Sequence, residues 1–297
     1  MRKLILLAAV AIITAALPLT TAAAADNPDN AYLALGDSVA TGTQRSEPFT
    51  DDGYVDVLYN RIRGPLHLTE MVNLACPGDD TGEMLDGDDM TNSPGGSICY
   101  GDLTAPGIDF GAPSQLDAAE AFLAANQGNV ALITITIGAN DFLGCDGDPA
   151  CIGNLLTNVL PANLSQILGR LQTAAPGVPI VGMNYYNPNL AYYLVPGGQT
   201  FAEQSNQLTA LGNEVLAGVY GAFGVPVVDV ANKFRIYEDT SASIPLNVRM
   251  ACLYTGMCDR VQGQLTLSSQ ADIHPSDLGY QRIAAAFKAT LRAEGIL

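Results

Sequence analysis

Val130-Ala-Leu-Ile-Thr-Ile-Thr-Ile137 is the stretch on which the fold turns. It is β-branched and apolar on both faces, and continuous apolarity of this kind suits a central parallel strand covered on both sides. Working outward, Pro113–Asn126 places Leu116, Ala119 and Leu123 at helical spacing. Upstream, Tyr32–Leu35 predicts a short buried strand. Gly53–Arg63 predicts a helix with Tyr54, Val57, Leu58 and Ile62 on one side, and Thr69–Ala75 a second strand. Residues 76–112, rich in Gly, Asp, Ser and Pro, read as one long irregular segment, a kind that is usually functional in a compact domain. Downstream, a helix from about Ala162 carries Leu164, Ile167, Leu168 and Leu171, and ends at Gly177. A strand over Val178–Met183, a helix over 202–222 and a fifth strand over Val225–Val230 follow, the last weakened by Pro226. Ser276 to about Glu294 is the final helix, with Tyr280, Ile283, Ala284, Phe287 and Leu291 on its buried stripe. This alternation predicts one α/β domain around a parallel sheet of about five strands.

The N-terminus has a different character. Met1-Arg2-Lys3 is a basic start, Leu4–Leu17 is apolar, and Thr21–Ala25 is a run of small residues. That three-part layout predicts a secretory signal peptide over residues 1–25, with residues 26–297 as a single secreted domain. The apolar run is shorter than the roughly 20 residues a spanning helix needs. No later segment is long and apolar enough to span a membrane, so no stable membrane anchor is expected. The formal charge of the 297-residue chain is −17, and loss of Arg2 and Lys3 makes it more negative. A strongly acidic surface disfavours nucleic acid and anionic lipid headgroups, but not a neutral ligand.

Six cysteines behind a signal peptide imply disulfides. Spacing favours three local loops: Cys76 with Cys99, Cys145 with Cys151, and Cys252 with Cys258. There is no CxxC pair and no His-x-x-x-His, so no metal is expected. The acidic loops Asp79–Asp89 and Asp141–Asp148 lack EF-hand spacing and read as solvated.

Ligands of parallel sheets sit beyond the carboxyl ends of the strands. Three short motifs stand at such places, Gly36-Asp37-Ser38, Asn73–Gly78 and Gly138-Ala-Asn140-Asp141, and a fourth, Asp272-Ile-His274-Pro275, stands at a loop-to-helix junction before the last helix. Each alone is ordinary turn chemistry, in which Gly, Asn and Asp supply unusual backbone angles. All four in order are harder to dismiss. Together they resemble the blocks of the SGNH (or GDSL) hydrolases, with Ser38 in LALGDSVA, Gly78 in NLACPGDDT, Asn140 in TIGANDF and His274 in DIHPSDLGY. The match spans nearly the whole chain after the signal peptide. It looks closest to secreted, cysteine-rich bacterial esterases and lipases.

The resemblance implies a flavodoxin-like three-layer α/β/α sandwich and hydrolysis of carboxylic esters without cofactor or metal. It implies Ser38 as nucleophile, His274 as base, and an oxyanion hole from the Ser38 and Gly78 backbone N–H groups and the Asn140 amide. Those residue types fit acyl transfer. A hydroxyl is a weak nucleophile until a base takes its proton, and the oxyanion needs donors already in place. The chain has only two histidines, and His67 has no motif around it, so it reads as a surface or packing residue. Asp37 and Asp141 read as turn-fixing residues. The departure is the third catalytic group. The family commonly places an Asp three residues before the His, where this chain has Ala271. Asp272, two residues before, or a backbone carbonyl would orient His274. The stretch Asn184–Leu194 is unusually aromatic and lies on the active-site side, where Tyr193 is a candidate acyl contact. A small-molecule or lipid ester is the expected substrate and a monomer the expected state. A carbohydrate deacetylase or phospholipase would use the same site, and a catalytically silent binding protein would keep the fold. Acyl length and alcohol are not legible.

Overall fold

The computed structural model describes residues 30–45, 47–87, 99, 111–240 and 242–297. The expected signal peptide and most of the irregular segment, 88–98 and 100–110, lie outside the described residues. Five strands form one sheet: β1 (Asn30–Gly36), β2 (Leu68–Asn73), β3 (Val130–Thr136), β4 (Ile180–Met183) and β5 (Val227–Val228). Their spatial order is β2-β1-β3-β4-β5, and every pairing is parallel. That is the flavodoxin-like order, whose switch point lies between β1 and β3. β5 is short because Pro226 has no N–H to give the ladder.

The helices expected from periodicity are present. They are α1 (Tyr54–Ile62), α3 (Gln115–Ala125), α6 (Leu160–Ala174), α7 (Gln199–Ala222) and α10 (Asp277–Ala293). α1 packs on α10, while α6 contacts both α3 and α7, so helices cover both faces of the sheet. The Tyr54 and Phe287 rings stack at 4.8 Å. Two threonines of β3 are fully buried. Thr134 bonds the Tyr32 hydroxyl at 2.7 Å and Thr136 bonds the Tyr54 hydroxyl at 2.7 Å. Each pair satisfies two polar groups that would otherwise be costly to bury.

Three regions differ from the sequence reading. Part of the irregular segment is helical, as α2 (Thr81–Asp86). Asp80 accepts the Gly82 and Glu83 N–H groups, and Glu83 returns to the Asp80 N–H, a complete capping box. Downstream of β3 come α4 (Asn140–Leu143) and α5 (Pro149–Asn154), the latter capped by Asp148. The acidic loops are therefore not simply solvated, since Asp79 and Asp141 are buried and Asp80 and Asp148 cap helices. Residues 230–275, which gave no clear period, hold α8 (Val230–Lys233), α9 (Leu246–Tyr254) and an antiparallel hairpin of β6 (Thr255–Val261) and β7 (Gln264–Pro275). Gln262 and Gly263 turn this hairpin, both at positive φ, as a type I′ turn requires.

The disulfides Cys76–Cys99, Cys145–Cys151 and Cys252–Cys258 pair as the spacing suggested. No helix of the described residues is long and apolar enough to cross a membrane.

Two features stand out at the carboxyl end of the sheet. Gly36 has φ +140°, and a Cβ there would lie 2.1 Å from the Thr136 carbonyl oxygen. Just beyond it, burial pushes the Asp37 carboxyl up to about 6, against the opposing pull of hydrogen bonds from Tyr185 and Val39 and the charge of His274. Burial likewise raises Asp141 to about 6, although Thr81 bonds its charged form.

Gly36→Ala is expected to cost about 3 kcal/mol or more, read from the midpoint of denaturant unfolding. Both raised acids hold their protons more tightly folded than unfolded, where the carboxyl value is about 4. Stability from these groups is therefore greatest below about pH 4 and falls as pH rises through about 6. Asp37→Asn, which keeps an acceptor for the Val39 N–H, is expected to flatten part of the fall in melting temperature across that window.

Candidate active site

Each strand end delivers one group. β1 runs into Gly36-Asp37-Ser38, where Asp37 fixes the turn. Its backbone N–H bonds the Thr136 carbonyl at 2.9 Å, and its carboxylate accepts the Val39 N–H at 2.9 Å and the Tyr185 hydroxyl. Tyr185 is held in turn by Asn213 of α7, whose amide both accepts from and donates to the Tyr185 backbone at 2.8 Å. Ser38 is left half-buried at the turn. β2 runs into Cys76–Asp79, a turn closed by the Asp79 N–H on the Cys76 carbonyl at 3.2 Å. Gly78 sits in it with φ +97°, a conformation that favours glycine.

β3 runs into Asn140, whose Nδ2 donates to the Asp79 carbonyl at 2.8 Å. The primary amide has a second N–H, so one bond orients it and leaves a further donor. Asp141 beside it accepts the Thr81 N–H at 3.1 Å and the Thr81 hydroxyl, tying α4 to the start of α2. The turn-fixing reading of Asp37 and Asp141 is thereby explained in atoms.

His274 does not stand in a loop, as the sequence suggested, but at the penultimate residue of β7. Asp272 lies on the same strand. The register shifts just here, with Gly256 opposite Asp272 and the adjacent Thr255 opposite Pro275, and this irregularity lets the Asp272 carboxylate turn back onto His274 across a two-residue offset. Asp272 Oδ1 lies 2.6 Å from His274 Nδ1 and accepts the His274 N–H at 3.1 Å. Oδ2 accepts the Arg45 N–H at 2.5 Å. Burial raises this carboxyl, but the bonds from His274 and Arg45 outweigh it and hold it below the ordinary value. Gly256, paired across the hairpin with Asp272, leaves the room: a Cβ there would meet the Asp272 Cβ at 2.8 Å. The histidine segment is also tied to the residues after Ser38. Gln44 Nε2 donates to Asp277 at 2.8 Å and the Tyr280 hydroxyl to the Thr43 carbonyl at 2.7 Å.

Ser38, Asn140 and His274 line one cavity of about 200 Å³. Its other walls include Phe142, Leu208, Leu216 and Ile273, with Tyr185 and Tyr186 rather than Tyr193 from the aromatic stretch. Tyr186 donates to the Ile273 carbonyl at 3.0 Å, next to His274. Gly78 does not line the cavity; it joins the site through its neighbour Asp79 and the Asn140 bond. His67 is exposed just before the amino end of β2, at the opposite end of the strands from the site. Two groups that sequence reasoning passed over also belong here: Arg45 and the buried Gln115. Among the described residues no cluster of His, Cys, Asp and Glu is positioned to hold a metal ion.

Comparison with known proteins bears on the fold and the family. Residues 34–282 match the GDSL-like lipase/acylhydrolase family. No curated protein sequence matches the chain. Among solved structures, phospholipase A1 from Streptomyces albidoflavus NA297 is 16% identical, covers 88% of this chain and 99% of its own, with a TM-score of 0.54. The extracellular lipase from Streptomyces rimosus is 18% identical, with coverage of 88% and 99% and a TM-score of 0.55. The lipase Lip_vut3 from a goat rumen metagenome is 19% identical, with coverage of 88% and 97% and a TM-score of 0.51. At these identities the likeness is one of fold. The family match over most of the length carries the further step: this chain belongs to the GDSL-like lipase/acylhydrolase family and is an ester-hydrolysing enzyme.

Proposed function

We propose that this enzyme is a serine carboxylesterase acting on aliphatic acyl esters, with residues 26–297 as its single exported domain and residues 1–25 as a removed leader. The carrying observation is that Ser38, Asn140 and His274 share one cavity while Asp272 holds the far ring nitrogen of His274. The Ser38 hydroxyl attacks the acyl carbon and His274 takes its proton through Nε2. Asp272, an acceptor on Nδ1, selects the tautomer in which Nε2 is free to act as base and steadies the imidazolium that forms. Negative charge on the carbonyl oxygen is met by the Ser38 and Gly78 N–H groups and the remaining Asn140 N–H. His274 then returns its proton to the leaving alkoxide, and water repeats the sequence to release the acid. An exported location is supported by three disulfides and the lack of a free cysteine among the described residues.

The substrate class rests on the cavity. Its walls are mainly hydrocarbon, which favours an acyl chain over the polar ring of an acetylated sugar. Gly212 of α7 forms part of the wall, and a Cβ there would meet Phe142 Cζ at 2.8 Å. Any side chain at 212 therefore pushes the Phe142 ring.

A serine-directed phosphonate is expected to label Ser38 in the folded protein, and Ser38→Ala to abolish labelling and ester turnover. Asp272→Asn is expected to lower kcat by about 10⁴, as loss of the orienting acid does in serine proteases. Full activity in Asp272→Asn would instead leave a backbone carbonyl as the orienting group. For the cavity, Gly212→Ala is expected to lower kcat/KM for octanoyl relative to acetyl esters by about 10-fold or more. An unchanged chain-length profile would mean that acyl groups bind elsewhere.

A further inference from the structure

Gln115 is the first residue of α3 and is wholly buried. A primary amide in such a place must find partners for both its donors and its acceptor, and this one does. Its Oε1 accepts the Gly36 N–H at 2.7 Å. Its Nε2 donates to the Gly36 carbonyl at 3.0 Å and to the Asp79 carboxylate at 2.7 Å. The Gly36 carbonyl also accepts the Cys76 N–H at 2.8 Å. Gln115 thus sits where β1 and β2 part, and bonds both chains after their ladder ends.

The partners are what give this position meaning. Gly36 precedes Ser38 by two residues, Asp79 directly follows Gly78, and the Asp79 carbonyl receives the Asn140 amide. One side chain therefore links the three segments that carry the three oxyanion donors. Gln115 is not among the residues lining the cavity, so it has no contact through which to bind substrate. The geometry points to Gln115 as a positioning residue that sets the mutual spacing of the Ser38, Gly78 and Asn140 donors. This rests on the esterase reading, in which those three groups meet the oxyanion. Its effect is expected on kcat, because oxyanion donors act on the transition state, and not on substrate binding.

The test compares wild type with Gln115→Met, which keeps size and loses all the bonds, and Gln115→Glu. Melting temperatures accompany both. For Gln115→Met, kcat is expected to fall by about 10–100-fold, the scale of a misplacement of about 1 Å, with KM little changed. For Gln115→Glu, two carboxylates facing each other share one proton. The protonated side chain still accepts from Gly36 and donates to Asp79, so activity is retained at low pH. As pH rises that proton leaves and the pair repels. The ratio of Gln115→Glu activity to wild type is therefore expected to fall with rising pH, a limb the wild type lacks. If Gln115→Met does not fold, the Gln115→Glu profile decides alone. Wild-type kcat in a folded Gln115→Met, or a pH-independent activity ratio for Gln115→Glu, overturns the positioning role. Phosphonate labelling of wild-type Ser38 separates the two readings. Its absence sinks the esterase assignment itself, whereas normal labelling with unmoved Gln115 variants sinks only the positioning role.

Discussion

The backbones of β1 and β3 approach each other at Gly36 so closely that no side chain fits between Gly36 and the Thr136 carbonyl. Everything at the site depends on that contact. It fixes where the two strands separate, and the separation is the switch point at which a doubly wound sheet opens a crevice. Ser38 leaves from one side of the crevice and Asn140 from the other. Beneath them Tyr32 and Tyr54 clamp Thr134 and Thr136, so the central strand has little freedom to slide. Above them Asp37 and Asp141 are buried as turn anchors, and their raised proton affinity is the cost of holding carboxylates out of water.

The Asp272–His274 pair has a different origin. It comes from a hairpin outside the five-stranded sheet, at a point where the ladder register shifts. Asp272 and His274 lie two positions apart, with Ile273 between them, and the Asp272 carboxylate turns back onto both the N–H and the ring of His274. The departure from the family spacing is thus matched to the local secondary structure. Gly256 and the Arg45 N–H complete the match, one by leaving space and the other by occupying the second carboxylate oxygen.

Periodicity made the sheet and its large helices legible, because their apolar positions recur at 2 or 3.6 residues and are buried in fact. It failed for β6 and β7, most of whose residues are exposed or half-buried, so that no clean alternation is written into them. The D-T-G-E box of α2 was readable at Asp80–Glu83 but was absorbed into a segment judged by composition. At the site, Ser38, Gly78, Asn140 and His274 announced themselves as motifs. Gln115 did not, since nothing in S-Q-L-D distinguishes a buried amide from a solvated helix start. Nor could the aromatic run Tyr185–Tyr193 reveal which ring faces the cavity, because that depends on the path of the chain after Met183.

The hairpin's place in the chain has a consequence for the making of this enzyme. The contact between Arg45 and Asp272 spans 227 residues, and that between Thr43 and Tyr280 spans 237. Contacts so distant in sequence are closed late, since loop entropy must be met before they give anything back. A chain that ends between Asn140 and Asp272 carries Ser38, Gly78 and Asn140 but lacks the Asp272–His274 pair. The candidate site is therefore complete only once the last part of the polypeptide is in place, so its assembly is tied to the end of synthesis.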